Sequence, residues 1–179
     1  NDKYLTAKAF DNRYGCALAV DVLQQLKDEN IDINLYAGAT VQEEVGLRGA
    51  KVAANLIKPY LAIAVDVGVA YDVPGMTGEK NEGKLGDGPL AILMDATSIA
   101  HDGLRKHIKD VAEHHNIPVQ WATTPGGGTD AGSIHVANEG IPTITIGVPL
   151  RYMHSNVSVL NIDDYTNSLR LITEIVRSL

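Results

Sequence analysis

The chain has 179 residues, 45% hydrophobic and 21% charged, enough for one domain with a sizeable core and ordinary for a globular protein. Its formal net charge of −7 excludes the basic face that a nucleic-acid backbone or an anionic membrane surface requires. No apolar run approaches the roughly 18 residues of a membrane span, and the opening NDKYLTAKAF lacks a basic-then-apolar signal pattern.

In chain order, YGCALAVDVLQQLKDEN repeats apolar residues at three- and four-residue spacing and predicts a helix. Cys16, the single cysteine, lies within it; it excludes an intramolecular disulfide and is expected to be a small buried hydrophobe of a cytoplasmic protein. IDINLYAGATV, rich in β-branched residues, predicts a strand, and GLRGAKVAANLI predicts a helix that stops before Pro59. YLAIAVDVG and LAILMDA, apolar runs bounded by Gly or Asp, predict buried strands, with DVPGMTGEKNEGKLGDGP as a long surface loop between them. DGLRKHIKDVAEHHN predicts a helix and IPVQWATT a strand. TDAGSIHVANEG predicts a helix capped by Thr129 or Asp130, IPTITIGVP a strand, and DDYTNSLRLITEIVRSL a closing helix. Strands alternating with helices predict an α/β fold whose sheet is covered on both faces.

In open α/β sheets, ligands collect beyond the carboxyl ends of the strands. The polar residues that end apolar runs are Asp11, Glu43, Glu44, Asp66 and, shortly after PTITIGVPLRYM, His154. So many anions in one low-dielectric cleft are prohibitive without compensation. A borderline divalent ion such as Zn²⁺, Co²⁺ or Mn²⁺ provides it, because such ions take carboxylate oxygen and imidazole nitrogen together. Two ions about 3.5–4 Å apart need one carboxylate as a bridge. Of the tandem glutamates, one can then bind metal while its neighbour takes a proton from water.

Each of these residues also has a plain structural reading. Asp11 serves equally as a helix cap, Glu43–Glu44 as solvated surface, and Asp66 or His154 as a satisfied structural group. His101, His107, His114 and His115 lie on or beside one polar helix and read as a solvated face, and His135 reads as structural. TTPGGGTDAGS is a glycine-rich turn entering a helix, without the lysine of a P-loop or dinucleotide spacing. Its residues Gly127, Thr129 and Asp130 either contact a substrate carbonyl or carboxylate or simply pack a tight turn.

Together, KAFDNRYGCA, VQEEVGLRGA, AVDVG, KLGDGPLAILMD, PGGGTDAG and GIPTITIGVPLRYMHS resemble the tetrahedral, glutamyl-aminopeptidase-like metallopeptidases. These are co-catalytic two-metal enzymes that include deblocking aminopeptidases and members labelled endoglucanase. The resemblance covers essentially the whole chain. It implies a three-layer α/β/α fold with a mixed, mostly parallel sheet. It also implies two divalent ions, Zn or Co most naturally and Mn as an alternative. Asp11 matches the bridging ligand, Glu44 and His154 the remaining protein ligands of one ion, Asp66 a ligand of the other, and Glu43 the general acid/base. A cis peptide bond is implied after the bridging aspartate, at Asp11–Asn12.

In the family the second ion also takes a histidine from an N-terminal His-x-Asp motif, and none of the six histidines here precedes Asp11. The family inserts a small β-rich dimerisation domain between that histidine and the bridging aspartate. Residues 1–179 are therefore expected to be the catalytic domain, incomplete on its N-terminal side, as the lack of an initial Met also suggests. The implied activity is removal of N-terminal residues from peptides by a homo-oligomer, dodecameric in the family. The subfamily likeness points to acidic N-terminal residues, for which Arg105 and Arg151 are candidate partners. Two rivals stand beside it. A glycosidase built on Glu43, Glu44 or Asp66 is disfavoured, because adjacent side chains rarely face a shared sugar at about 5–9 Å. The other rival is a metal-binding fragment without activity.

Overall fold

The computed structural model describes residues 2–76 and 83–179. These run β1 (Tyr4–Ala7), α1 (Phe10–Leu26), α2 (Arg48–Ile57), β2 (Ala62–Val69), β3 (Leu90–Asp95), α3 (Asp102–His114), β4 (Gln120–Thr124), α4 (Ala131–Ile134), β5 (Thr143–Leu150), β6 (Ser158–Asn161) and α5 (Ile162–Arg177). The strand TITIGVPL, β5, is buried along its whole length, the signature of a central strand covered on both faces. It pairs in parallel with β2 and antiparallel with β3, and β4 extends β3 in parallel. The resulting order, β2-β5-β3-β4, is the mixed, mostly parallel sheet expected.

Alternation along β5 separates two layers of packing. Ile144, Ile146, Val148 and Leu150 enter the main core, built with Leu18 of α1, Ile108 of α3 and Leu171 and Ile175 of α5. Thr145 points to the opposite face, where its hydroxyl meets Thr129. On that face α2 and α4 close over a small cluster of Ala54, Ala137 and Ile141. Helices on both sides of the sheet make the fold α/β/α. A separate two-stranded antiparallel ribbon, β1 with β6, joins the start of the chain to the segment before α5.

Several expectations need correction. Cys16 is exposed, not buried. The buried stripe of α1 is Tyr14, Leu18, Val22 and Leu26, spaced four apart, and Cys16 lies two residues off it, roughly half a turn away. IDINLYAGATV is not an assigned strand. Its Ile31, Ile33 and Leu35 do pack on the main core, so the period-two pattern is real. What it lacks among the described residues is a ladder partner. TDAGSIHVANEG forms a single helical turn, α4, and no side chain caps it; the Thr129 hydroxyl is committed to Thr145 instead.

Part of the long loop, residues 77–82, lies outside the described residues. The rest is anchored: Gly86 and Gly88 donate to the Asp164 carboxylate at 2.8 Å each. No described helix is long and apolar enough to cross a membrane.

Candidate metal centre and active site

Asp11 is presented by an irregular head on α1. Ala9 takes a left-handed conformation (φ 53°), the Asp11–Asn12 peptide bond is cis, and neither Asp11 nor Asn12 has helical dihedrals. The Asn12 side chain donates to the carbonyl of Val65 (2.7 Å) and accepts from the Gly15 N–H (2.8 Å). This ties the head of α1 to β2 one residue before Asp66. Asp66 itself is 8% exposed and accepts the Val67 N–H at 2.8 Å.

Glu43 and Glu44 sit in a closed turn entering α2. Gly46 and Leu47 donate to the Glu43 carbonyl at 3.1 and 2.9 Å, and Gly49 donates to Val41 at 2.9 Å. His154 rides the hairpin between β5 and β6, closed by two backbone hydrogen bonds of 3.1 Å between Arg151 and Val159. Its base is braced by Arg151, which forks onto Asp72 at 2.9 and 2.6 Å and lies 5.8 Å from the Tyr4 ring centre.

These three loops bring together Asp11, Glu44 and His154. His154 Nε2 is 3.0 Å from Asp11 Oδ2 and 3.4 Å from Glu44 Oε2, and one ligand atom from each residue lies within 4.8 Å of the others. Two carboxylate oxygens and one imidazole nitrogen form a donor set suited to a borderline divalent ion. They border a cleft of about 650 Å³ that Lys8, Asn156 and Ser158 also line.

Asp66 stands outside this trio but within electrostatic reach of Asp11, Glu43 and Asp130. Burial, and then the charges of Asp130, Glu44 and Asp11, push the Glu43 carboxyl up to about 7. Burial is also the main reason Asp66 is pushed up to about 8, against the opposing Val67 N–H. Asp11 is raised by burial and by Glu44, with His154 pulling the other way. Gathered carboxylates in a partly dry cleft thus resist ionisation, and a cation among them relieves that resistance.

The remaining candidates fall elsewhere. Arg151 is engaged by Asp72 and Arg105 by Asp102, at 2.6 and 2.7 Å respectively. The Gly127 carbonyl accepts the Ala96 N–H at 2.7 Å. The Thr129 hydroxyl is buried between Thr145 and Asp95, at 2.7 and 3.3 Å. Asp130 accepts the Thr40 hydroxyl, and its other oxygen is buried without a partner. The sequence reading passed over Asp95 and Thr40. Asp95 carries the signal that singled out Asp66, a carboxylate in an otherwise apolar strand, although Asp95 ends β3 while Asp66 lies inside β2; Thr40 carries no such signal.

The model of the M42 glutamyl aminopeptidase family matches residues 1–171. Among curated relatives, the glutamyl aminopeptidase of Lactococcus lactis subsp. cremoris is 41% identical over 179 residues, covering 100% of this chain and 49% of that protein. Among solved structures, the TET aminopeptidase of Thaumarchaeota archaeon SCGC AB-539-E09 superposes with a TM-score of 0.95 at 37% identity, over 99% of this chain and 50% of its own. The Pyrococcus horikoshii TET1 peptidase, described as able to assemble into a tetrahedron or a large octahedral shell, matches at 0.85 and 32% identity, over 100% and 52%. The chain spans about half the length of these relatives. With this match over nearly all its residues, the chain belongs to the M42 glutamyl aminopeptidase family.

Proposed function

We propose that this chain is the catalytic portion of a metal-dependent aminopeptidase that removes N-terminal, preferentially acidic, residues from peptides. The observation that carries this reading is the juxtaposition of the Asp11–Glu44–His154 trio with Glu43, a neighbouring carboxyl held near neutrality by its surroundings. Asp11, Glu44 and His154 would hold one divalent ion, and Asp66 would join Asp11 in holding a second. Such ions, Zn or Co by donor chemistry, supply Lewis-acid polarisation of the scissile carbonyl and of water.

Glu43 performs the proton transfers. With a proton affinity near pH 7 it accepts a proton from the attacking water and returns it to the departing amine, work that needs a group poised close to the working pH. Glu44, adjacent in sequence, belongs to the ion. That division of labour explains why two glutamates stand side by side.

Assembly is proposed on the same footing. TET1 of Pyrococcus horikoshii forms closed shells, and a comparable homo-oligomer is expected for the protein containing this chain, read by native mass spectrometry. The free, exposed Cys16 supports a reducing, cytoplasmic location.

The deciding experiment assays Glu, Asp, Leu and Lys aminoacyl substrates with defined metals. Activity should be greatest on Glu or Asp, vanish with EDTA and return with Co²⁺ or Zn²⁺. Glu43→Gln should lower kcat by about 10²–10⁴-fold with metal content unchanged. Glucan hydrolysis that survives EDTA, or near-normal turnover in Glu43→Gln, would overturn the assignment.

A further inference from the structure

We infer that Asp95 is a positioning residue for Glu43, acting through the glycine-rich turn; the inference rests on the aminopeptidase reading of the site. Asp95 closes β3, is 7% exposed and has no place in the metal trio. Its Oδ1 accepts the Thr97 N–H (2.7 Å), the Thr97 hydroxyl (2.8 Å) and the Ser98 N–H (2.7 Å). Its Oδ2 accepts the hydroxyls of Ser98 (3.0 Å) and Thr129 (3.3 Å). A buried carboxylate this fully bonded cannot rotate without stranding several donors, so it fixes everything attached to it.

One of those attachments leads into the glycine-rich turn: the Thr129 hydroxyl, locked from behind by Thr145 at 2.7 Å. A backbone bond beside Asp95 adds a second link, as the Ala96 N–H donates to the Gly127 carbonyl at 2.7 Å. That turn in turn grips the segment bearing Glu43. Asp130 accepts the hydroxyl of Thr40, three residues before Glu43. At Gly132 a Cβ would lie 2.2 Å from Thr97 Oγ1 and 3.1 Å from Leu47 Cδ1, so three loops meet where only a glycine fits. Leu47 donates its N–H to the Glu43 carbonyl at 2.9 Å.

A continuous set of contacts therefore runs from the end of β3 to the backbone of Glu43 without touching Asp11, Glu44 or His154. A general base must be placed closely to act, and a misplacement of about 1 Å can cost about 10²-fold. Thr129, buried in this set, serves the placement of Glu43 and not the substrate.

The test combines kinetics and hydrogen exchange on Thr129→Val, Thr40→Val and their double variant. Thr129→Val should lower kcat/KM by about 10–100-fold, the scale for removing a supporting hydrogen bond behind a site. The loss should fall in kcat, with KM and metal content unchanged. The double variant should lose no more than the worse single, because both cut one chain of contacts. Amide exchange across residues 40–47 should quicken in Thr129→Val. Wild-type kcat in Thr129→Val, a loss confined to KM, multiplicative losses in the double variant, or quickened exchange limited to residues 125–134 would each overturn the inference. If the wild-type protein cleaves no peptide, the aminopeptidase reading fails separately. Exchange across residues 40–47 then still decides whether the Asp95 contacts hold the Glu43 turn.

Discussion

Asp164 and Asp66 are both buried carboxylates, and their surroundings stabilise them unequally. Asp164, fully buried in the first turn of α5, accepts two backbone N–H groups from the Gly86–Gly88 loop at 2.8 Å each. Burial outweighs them and pushes its carboxyl up to about 6. Asp66, with only the Val67 N–H among the described residues, is pushed to about 8. For Asp164 the consequence is a defined pH dependence. The folded-state value exceeds that of an unfolded aspartate, about 4, so folding favours the protonated form. The stability this group contributes is complete below pH about 4 and is lost as pH rises through about 6. The loss is at most on the order of 3 kcal/mol. Asp164→Asn cannot ionise. The stability of the wild type relative to this variant should therefore fall between pH 4 and 7, read by urea unfolding at stepped pH. A pH-independent difference would mean that the two N–H donors offset burial completely.

Elements were legible wherever one chain segment decides its own fate. α1, α3 and α5 announce themselves by a four-residue apolar stripe, and β2, β3 and β5 by short apolar runs that burial on both faces requires. What depends on a partner was not legible. Residues 31–41 have the alternation of a strand, but a ladder needs a neighbour that local sequence does not encode. β1 and β6, four residues each, are too short for alternation to register. Helix α2 inverts the usual pattern: it buries Ala50 and Ala54 while Val52 and Leu56 are 69% and 82% exposed, so its contacts were unreadable from apolar spacing alone. The Asp11–Glu44–His154 trio was legible because polar residues that follow apolar runs are conspicuous, whereas Asp95 stood at such a place and was answered internally by five donors. The packing of β2 against β5 makes its own prediction. A Cβ at Gly147 would lie 2.2 Å from the carbonyl oxygen of Asp66, a backbone atom of the partner strand. At Gly68 the obstacle at 2.4 Å is a Leu90 methyl, which can rotate away. Gly147→Ala should therefore destabilise by about 3 kcal/mol or more, and Gly68→Ala by about 1 kcal/mol. Thermal unfolding of the pair checks this, and equal losses would show that the strands part more easily than their geometry indicates.

Over the whole molecule, a net charge of −7 is compounded by the placement of Asp11, Glu44, Asp66 and Asp130 within electrostatic reach of Glu43. Each raised carboxyl there reports free energy forgone mainly by burying a carboxylate and, for Asp11, Glu43 and Asp66, also by its acidic neighbours; a cation bound beside them would return part of it. Metal binding should therefore appear as stability, independently of turnover. At a free Co²⁺ or Zn²⁺ concentration 100 times Kd, linkage adds about 2.7 kcal/mol. For a chain of this size that corresponds to a rise in Tm of roughly 5–10 °C. EDTA should reverse the rise. His154→Ala, which removes the nitrogen ligand but leaves the carboxylates, should abolish most of it, because carboxylates alone hold these borderline ions less well. Glu43→Gln should keep the full rise while losing catalysis, since it removes a proton acceptor and no ligand. This pair of variants separates the two jobs assigned to the cluster. If Glu43→Gln lost the metal-dependent rise and His154→Ala kept it, Glu43 would be the ligand, and the roles of the two neighbouring glutamates would have to be exchanged.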